Sequence, residues 1–390
     1  MKKKIIFVTK ALWIGGIETA LVNLLNHFDY DKYDITLLVV HAELNLLDQI
    51  NPNCRVLIID REKTYSFEKD YKFAKLYHLT EETQHPSVLH RAFMWVTPLI
   101  KWLENGLYIH YVRTQMKSEH FDTCVIYSDV VAETAIHAIG AEQYLMYYHH
   151  GAMRHVYHDS IAYKKCNRII AVSENQANEL KRYVPEAAEK ITVIHNLTDV
   201  KGIREKAKEQ TEEWFNPQKF QIVSVGRVSY EKGMDIAVRV CAKLVEDGFR
   251  NICWWIVGDG PVMQEIRKMI AELGMESYMK LVGMKENPYP YIRQASLYVQ
   301  PSRFEGYPMT ILEALVIGQP VISTYNNGAK EILQDRKTGL LCSVDILQIV
   351  RLVKLTMQKE NILNELKENI VKIDFEQQNE IIMKLLENIL

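Results

Sequence analysis

A hydrophobic pattern that runs twice constrains this chain more than any other feature. Lys4-Ile5-Ile6-Phe7-Val8-Thr9 is a short, nearly unbroken apolar run, and Phe220-Gln221-Ile222-Val223-Ser224-Val225 is a second one far downstream. A strand with one wet face alternates apolar and polar residues. A strand in a parallel sheet is covered by helices on both faces and reads as a continuous apolar segment instead. Each run is followed by glycine and then by helical spacing: residues 12–16 and a helix over 17–27 in the first half, Gly226 and a helix from about 233 in the second. Further strands are expected at 34–40, 55–60, 123–127, 143–148 and 168–172, and again at 251–257, 278–282, 297–300 and 320–324. Strands that alternate with helices in this way predict an α/β fold on parallel sheets.

A chain of 390 residues is more than one compact core usually holds, so two doubly wound units are expected. The first is placed at 1–197 and the second at 198–374, with the charged stretch 203–217 as helix and linker near the boundary. Residues 375–390 carry Ile381, Ile382, Leu385, Leu386 and Ile389, one apolar helical stripe that must pack on something. Residues 61–122 are rich in aromatics and histidine, with Pro98 expected to break a helical run. They fit a helical insertion packed on the first domain; an acceptor-binding or membrane-facing surface is the alternative.

Composition removes several functional classes. With 48% hydrophobic and 25% charged residues the chain is globular, and a formal net charge of −2 argues against broad nucleic-acid binding. A phosphate site must therefore come from a few placed cations and backbone amides. Cys54, Cys124, Cys166, Cys241, Cys253 and Cys342 form no C-x-x-C pair and no zinc set, and read as buried thiols of a reducing cytoplasm. The apolar run after Met1-Lys2-Lys3-Lys4 is too short for a signal-peptide core, and the uncharged run 92–100 is too short to span a bilayer. A cytoplasmic protein, free or held at the inner face of the membrane, is expected.

Four segments carry candidate chemistry. In Ser302-Arg303-Phe304-Glu305-Gly306-Tyr307-Pro308-Met309-Thr310-Ile311-Leu312-Glu313, a strand ends in a loop and Pro308 suits the first position of a helix. The free N–H groups of that helix start favour a phosphate, and Gly306 lets backbone approach a ligand. Glu305 and Glu313 could both reach one ligand, as acceptors from sugar hydroxyls; a plain capped helix with a solvated Glu313 fits these residues equally well. The second segment, Gly226 to Gly233, places Arg227 and Lys232 at a strand's carboxyl end, where two cations can neutralise a diphosphate leaving group. The third is Gly15-Gly16, which lacks the full dinucleotide pattern but can admit a phosphate or sugar. The fourth is His149-His150-Gly151 with His155 and His158. No cysteine or spaced carboxylate completes a metal set there, so hydrogen bonding to substrate is the better reading, and alternation does not decide between His149 and His150. Asp29-Tyr30-Asp31 fits a D-x-D metal pattern, but it lies at the wrong end of the sheet and reads as a solvated turn.

Together these segments resemble the family-four retaining glycosyltransferases of the bacterial polysaccharide-assembly type, which have the GT-B fold: two Rossmann-like doubly wound domains facing a cleft. The resemblance covers most of residues 4–340. It is strongest at VGRVSYEKG (225–233), IVGDGP (256–261), residues 281–324 and NGAKE (327–331), and includes GGIE (15–18), HHG (149–151), AVSEN (171–175) and VIHNLTD (193–199). The E-x7-E motif is Glu305 and Glu313 in full context. The resemblance implies diphosphate-binding cations at Arg227 and Lys232, a ribose-binding carboxylate at Glu313 and a donor-sugar contact at Glu305. It implies phosphate- and sugar-binding amides over Gly306, Tyr307, Pro308, Met309 and Thr310. It also implies a cleft histidine at His150, a phosphate-side glycine at Gly16, and nucleobase neighbours at Met284 and Lys285. The last helix is implied to cross back to the first domain.

The implied activity is retaining transfer of a hexose or N-acetylhexosamine from a nucleotide diphosphate sugar, UDP-sugar favoured. The implied acceptor is a saccharide, free or lipid-linked, in surface glycan synthesis, with no cofactor and no metal. A sugar-nucleotide epimerase on the same scaffold and a silent partner subunit are the alternatives; the E-x7-E context weighs against the first and the retained residues against the second. The chain departs from the family at Ile194-His195-Asn196-Leu197-Thr198, which stands in place of the commoner proline and glycine of that loop.

Overall fold

The computed structural model describes residues 2–60, 103, 105–149, 160–213 and 215–390. Most of the aromatic region (61–102 and 104) and His150, with the expectations placed on them, lie outside the described residues. The chain divides into two compact units, one of residues 1–148, 156–170 and 184–192, the other of 149–155, 171–183 and 193–390. The second unit thus takes two segments that precede 197.

The first unit is built on seven strands in the order β3-β2-β1-β4-β5-β6-β7. They are β1 (Lys3–Thr9), β2 (Tyr33–Val39), β3 (Arg55–Ile58), β4 (Phe121–Ile126), β5 (Ala141–Tyr148), β6 (Arg168–Ala171) and β7 (Ile191–Val193). β1 pairs in parallel with β2 on one side and β4 on the other, and its Ile5, Ile6, Phe7 and Val8 are fully buried, which is why the sequence shows no alternation there. Helix α1 (Gly16–His27) follows it. Asp29 accepts from the amide of Asp31 at 3.0 Å and pairs with Lys32 at 3.0 Å, an exposed turn and not a metal ligand pair.

The second unit carries six strands in the order β10-β9-β8-β11-β12-β13. These are β8 (Phe220–Val225), β9 (Ile252–Val257), β10 (Met279–Gly283), β11 (Leu297–Gln300), β12 (Val321–Thr324) and β13 (Leu340–Cys342), paired in parallel throughout. Its core is an aliphatic layer through Ile222, Trp254, Ile256, Leu297 and Val299, joined by Ala237, Val240 and Leu244 of α3 (Met234–Glu246). The two strands missing from the sequence reading, β7 and β13, are three residues each and close their sheets at one edge.

The final helix (Phe375–Glu387) corrects the expected stripe. It buries Phe375, Asn379 and Leu386 and leaves Ile381 and Leu385 about half exposed. Asn379 anchors it, accepting from the amide of Thr198 at 3.2 Å and donating to the carbonyl of Thr198 at 2.7 Å. The stripe was misplaced because a polar residue occupies a packed position. All six cysteines are buried free thiols. No helix among the described residues is long and apolar enough to cross a membrane.

Candidate functional site

In the second sheet the strand order reverses between β8 and β11: β9 lies on one side of β8 and β11 on the other. At such a switch point the connections leave in opposite directions and open a crevice beyond the carboxyl ends of the strands. Two loops reach into it, residues 226–232 after β8 and 301–308 after β11. The first ends in a tight turn, Tyr230–Lys232, closed by Gly233 at φ 66°. A Cβ on Gly233 would stand 2.1 Å from the carbonyl oxygen of Pro301, so only glycine lets the two loops meet here.

Arg303 fastens the same junction. Its amide donates to the Glu231 carbonyl at 2.7 Å, its guanidinium forks onto Asp235 with both bonds at 2.7 Å, and it lies 4.1 Å over the Tyr230 ring. Burial pushes the Asp235 carboxyl up, but the hydrogen bonds and charge of Arg303 outweigh this and hold it below its usual range. The turn that presents Lys232 is therefore held by a rigid planar fork.

Lys232 Nζ lies 2.7 and 2.8 Å from the two carboxylate oxygens of Glu305. The Glu305 side chain is only 8% exposed, and Gln300 and Ser302 also donate to it, each at 2.7 Å. Sequence reasoning sent Lys232 to a diphosphate and Glu305 to a sugar; in the folded unit the two are bonded partners. Arg227 is exposed, and its side chain makes no hydrogen bond or ion pair among the described residues.

Pro308 is the cap of α4 (Met309–Ile317), one position earlier than expected. No side chain caps this start and no acidic residue stands in its first turn, so its amides and positive dipole end are open to an anion. Glu313 is buried within α4 at 6% exposure. Burial pushes its carboxyl up to about 7, against weaker opposing pulls from Tyr289 and Lys232. The Tyr289 hydroxyl is 3.4 Å away, a long bond. The solvated Glu313 of a plain capped helix is thus excluded. A buried acceptor without a strong donor is a group prepared for a ligand's hydroxyls.

Gly306 lies against the protein's own atoms. A Cβ there would meet Gln176 Nε2 at 2.3 Å and the His149 carbonyl at 2.9 Å, so glycine lets the loop pack on the protein itself. Tyr307 stacks on His195, ring centroids 5.0 Å apart and planes 15° from parallel. His195 Nδ1 lies 3.0 Å from the Val172 carbonyl. The residue that departs from the family pattern is therefore packed against the 301–308 loop. Glu331 accepts from the amides of Glu174 and Asn175 at 3.0 and 3.2 Å, closing the start of the helix Glu174–Tyr183.

Lys285 bonds to Glu212 at 2.7 Å and lies 3.1 Å from Glu213, so its charge is taken up within the unit; Met284 is 60% exposed. Gly16 opens α1 in the first unit, with no side-chain cap on the preceding Gly15. Sequence reasoning missed Gln300, Ser302, Arg303 and Tyr289. Gln300 left one readable trace, a polar residue closing a four-residue strand that is buried throughout.

A sheet switch point with an open helix start, an arginine whose side chain has no partner among the described residues, a lysine–glutamate pair and a buried carboxylate offers amides, cations and acceptors of the kind that a phosphorylated, hydroxyl-rich ligand needs. Comparison with known proteins gives the family. Residues 14–201 match the model of glycosyltransferase family 4, and residues 205–373 match that of glycosyl transferases group 1. The chain belongs to the family-four glycosyltransferases of the GT-B fold. It is 30% identical over 187 residues to a Campylobacter jejuni protein, N-acetylgalactosamine-N,N'-diacetylbacillosaminyl-diphospho-undecaprenol 4-alpha-N-acetylgalactosaminyltransferase, across 48% of this chain and 49% of that one. It is 30% identical over 132 residues to the amylovoran biosynthesis glycosyltransferase AmsK of Erwinia amylovora, across 32% of each. The chain thus spans about half the length of the first and about a third of the second. Anabaena HepE, solved in complex with UDP and glucose, shares the fold at a TM-score of 0.72 and 16% identity over 99% of both chains.

Proposed function

We propose that this protein transfers a hexose or N-acetylhexosamine from a UDP-sugar, with retention of configuration, to a saccharide acceptor in surface glycan or polysaccharide synthesis. The observation that carries the reading is the buried, raised carboxyl of Glu313 on the same helix whose open start lies beside the Lys232–Glu305 pair. Glu313 would accept from the ribose hydroxyls. The amides of Met309 and Thr310, with Arg227 and Lys232, would take the diphosphate. Glu305 would hold the sugar. As the bond from the anomeric carbon to the diphosphate breaks, the developing charge falls on these cations and amides, so the reading calls on no metal. The acceptor hydroxyl would attack from the face the diphosphate leaves, its proton passing to the departing phosphate oxygen.

Two relatives support the donor and acceptor classes: one was solved with UDP and glucose, another is named for a diphospho-undecaprenol-linked saccharide. The acceptor proposed here is accordingly a lipid-linked saccharide met at the inner face of the membrane. A thermal-shift screen of nucleotides and nucleotide sugars is expected to single out UDP and its sugars. Turnover of the selected donor is expected to be nearly abolished in Glu305→Ala and Lys232→Ala. Wild-type rates in both variants would remove the enzyme reading, and a changed sugar nucleotide formed without acceptor would replace it with epimerisation.

A further inference from the structure

We propose that Gln300 is a positioning residue that decides which oxygen of Glu305 faces the donor sugar; the inference rests on the donor-site reading above. Gln300 is 1% exposed at the end of β11, between Tyr298 and Ser302, which are fully buried. Its amide is committed on both sides. Oε1 accepts from the Tyr298 hydroxyl at 2.5 Å and lies 3.4 Å from Thr310 Oγ1; Nε2 donates to Ser302 Oγ at 2.8 Å and to Glu305 Oε1 at 2.7 Å. Turning the amide over would set its oxygen against the Glu305 carboxylate and its NH2 against hydroxyls already placed to donate. The orientation is thus fixed by the donor and acceptor inventory of the neighbours.

The consequence falls on Glu305. Its Oε1 receives Gln300 Nε2, Ser302 Oγ and Lys232 Nζ, each at 2.7 Å, and has no capacity left. Among the described residues its Oε2 receives Lys232 alone, at 2.8 Å. One oxygen is anchored inward and the other is left to accept. The group it takes must be a donor, a sugar hydroxyl or amide N–H. A sugar carboxylate there would meet a like charge, so the site selects neutral hexoses and N-acetylhexosamines over uronic acids at this position.

The test compares wild type, Gln300→Leu and the isosteric Gln300→Glu on two readouts: UDP binding, and UDP release from UDP-glucose, UDP-N-acetylglucosamine and UDP-glucuronic acid. UDP affinity is expected to stay within about 3-fold of wild type in both variants, because UDP lacks the hexosyl group that Glu305 would hold. Turnover of the neutral donors is expected to fall about 100-fold in Gln300→Leu, the effect of a reacting group displaced by about 1 Å. In Gln300→Glu, turnover is expected to recover as pH is lowered, since a protonated Glu at 300 again donates to Glu305, and to vanish as pH rises. Neutral donors are expected to turn over faster than UDP-glucuronic acid in wild type. Unchanged turnover in Gln300→Leu, or equal losses in both variants with no recovery at low pH, overturns the proposal. If Gln300→Leu does not fold, the pH limb of Gln300→Glu decides alone. Wild type that binds no UDP overturns the donor-site reading, and this inference with it.

Discussion

Replacing Glu313 by glutamine is expected to stabilise the unliganded protein while weakening nucleotide binding. The substitution keeps the volume and keeps an oxygen facing Tyr289, but removes the charge. Burial pushes this carboxyl from its ordinary 4.5 up to about 7. A raised acid is favoured in its neutral form by the folded state, so the stability it confers is full below about 4.5 and lost as pH rises through about 7. At 1.36 kcal/mol per pH unit the ionised carboxylate destabilises the fold by roughly 3 kcal/mol at pH 8, and by only about 1 kcal/mol at pH 5. Each kcal/mol moves the midpoint of a domain this size by about 2–4 °C, so Glu313→Gln should melt roughly 6–12 °C higher at pH 8, with a gap that narrows sharply at pH 5. Differential scanning calorimetry at the two pH values measures this. The same variant should lose roughly 10- to 100-fold in UDP affinity, the worth of hydrogen bonds to a charged acceptor. A midpoint at or below wild type at pH 8, or a gap that does not close on acidification, would refute the idea that Glu313 is held charged against the fold for the sake of a ligand.

Two further outcomes are expected. Gly306→Ala should lower the melting midpoint by roughly 3–10 °C, since the added Cβ meets Gln176 and the His149 carbonyl too closely and overpacking of this kind costs about 1–3 kcal/mol; thermal denaturation checks it, and an unchanged midpoint would show that the loop gives way freely. Arg303→Lys should reduce donor turnover about 10-fold although it keeps the charge, because lysine cannot fork onto Asp235 or lie flat on Tyr230, and the turn carrying Lys232 loosens. Steady-state kinetics with full activity in the lysine variant would argue that charge alone matters there.

Much of the fold was legible because parallel strands announce themselves. Phe220–Val225 and Leu297–Gln300 were bounded correctly from their apolar runs, since both faces of each are covered. Strands of three residues, such as Ile191–Val193 and Leu340–Cys342, are too short to leave a period, and Asn379 took a packed helical position that no hydrophobic stripe could reveal. The placing of three candidate residues was legible for the same reason: Arg227, Lys232 and Glu305 fall where the strands end. What the sequence could not contain was their partnership. That Lys232 binds Glu305 and that Arg303 bonds to the Tyr230 carbonyl are facts of two loops brought together at a sheet switch point, each pair 73 residues apart in the chain, while Gln300 and Ser302 anchor the same carboxylate locally.

Glu313 shows where a physical signal lay unused. The helix Met309–Ile317 reads Met-Thr-Ile-Leu-Glu-Ala-Leu-Val-Ile, apolar on every side apart from Thr310 and this carboxylate. A helix apolar all round is buried all round. A glutamate in its middle therefore had to be buried as well, without a basic residue one turn away on its own helix to pair with. Such a group destabilises the fold by the roughly 3 kcal/mol worked out above, more than an incidental surface charge could. The spacing to Glu305 identifies the motif, and the burial makes the carboxylate costly where Gln would satisfy the helix better; the ribose contact proposed for Glu313 would offset that cost through strong donors.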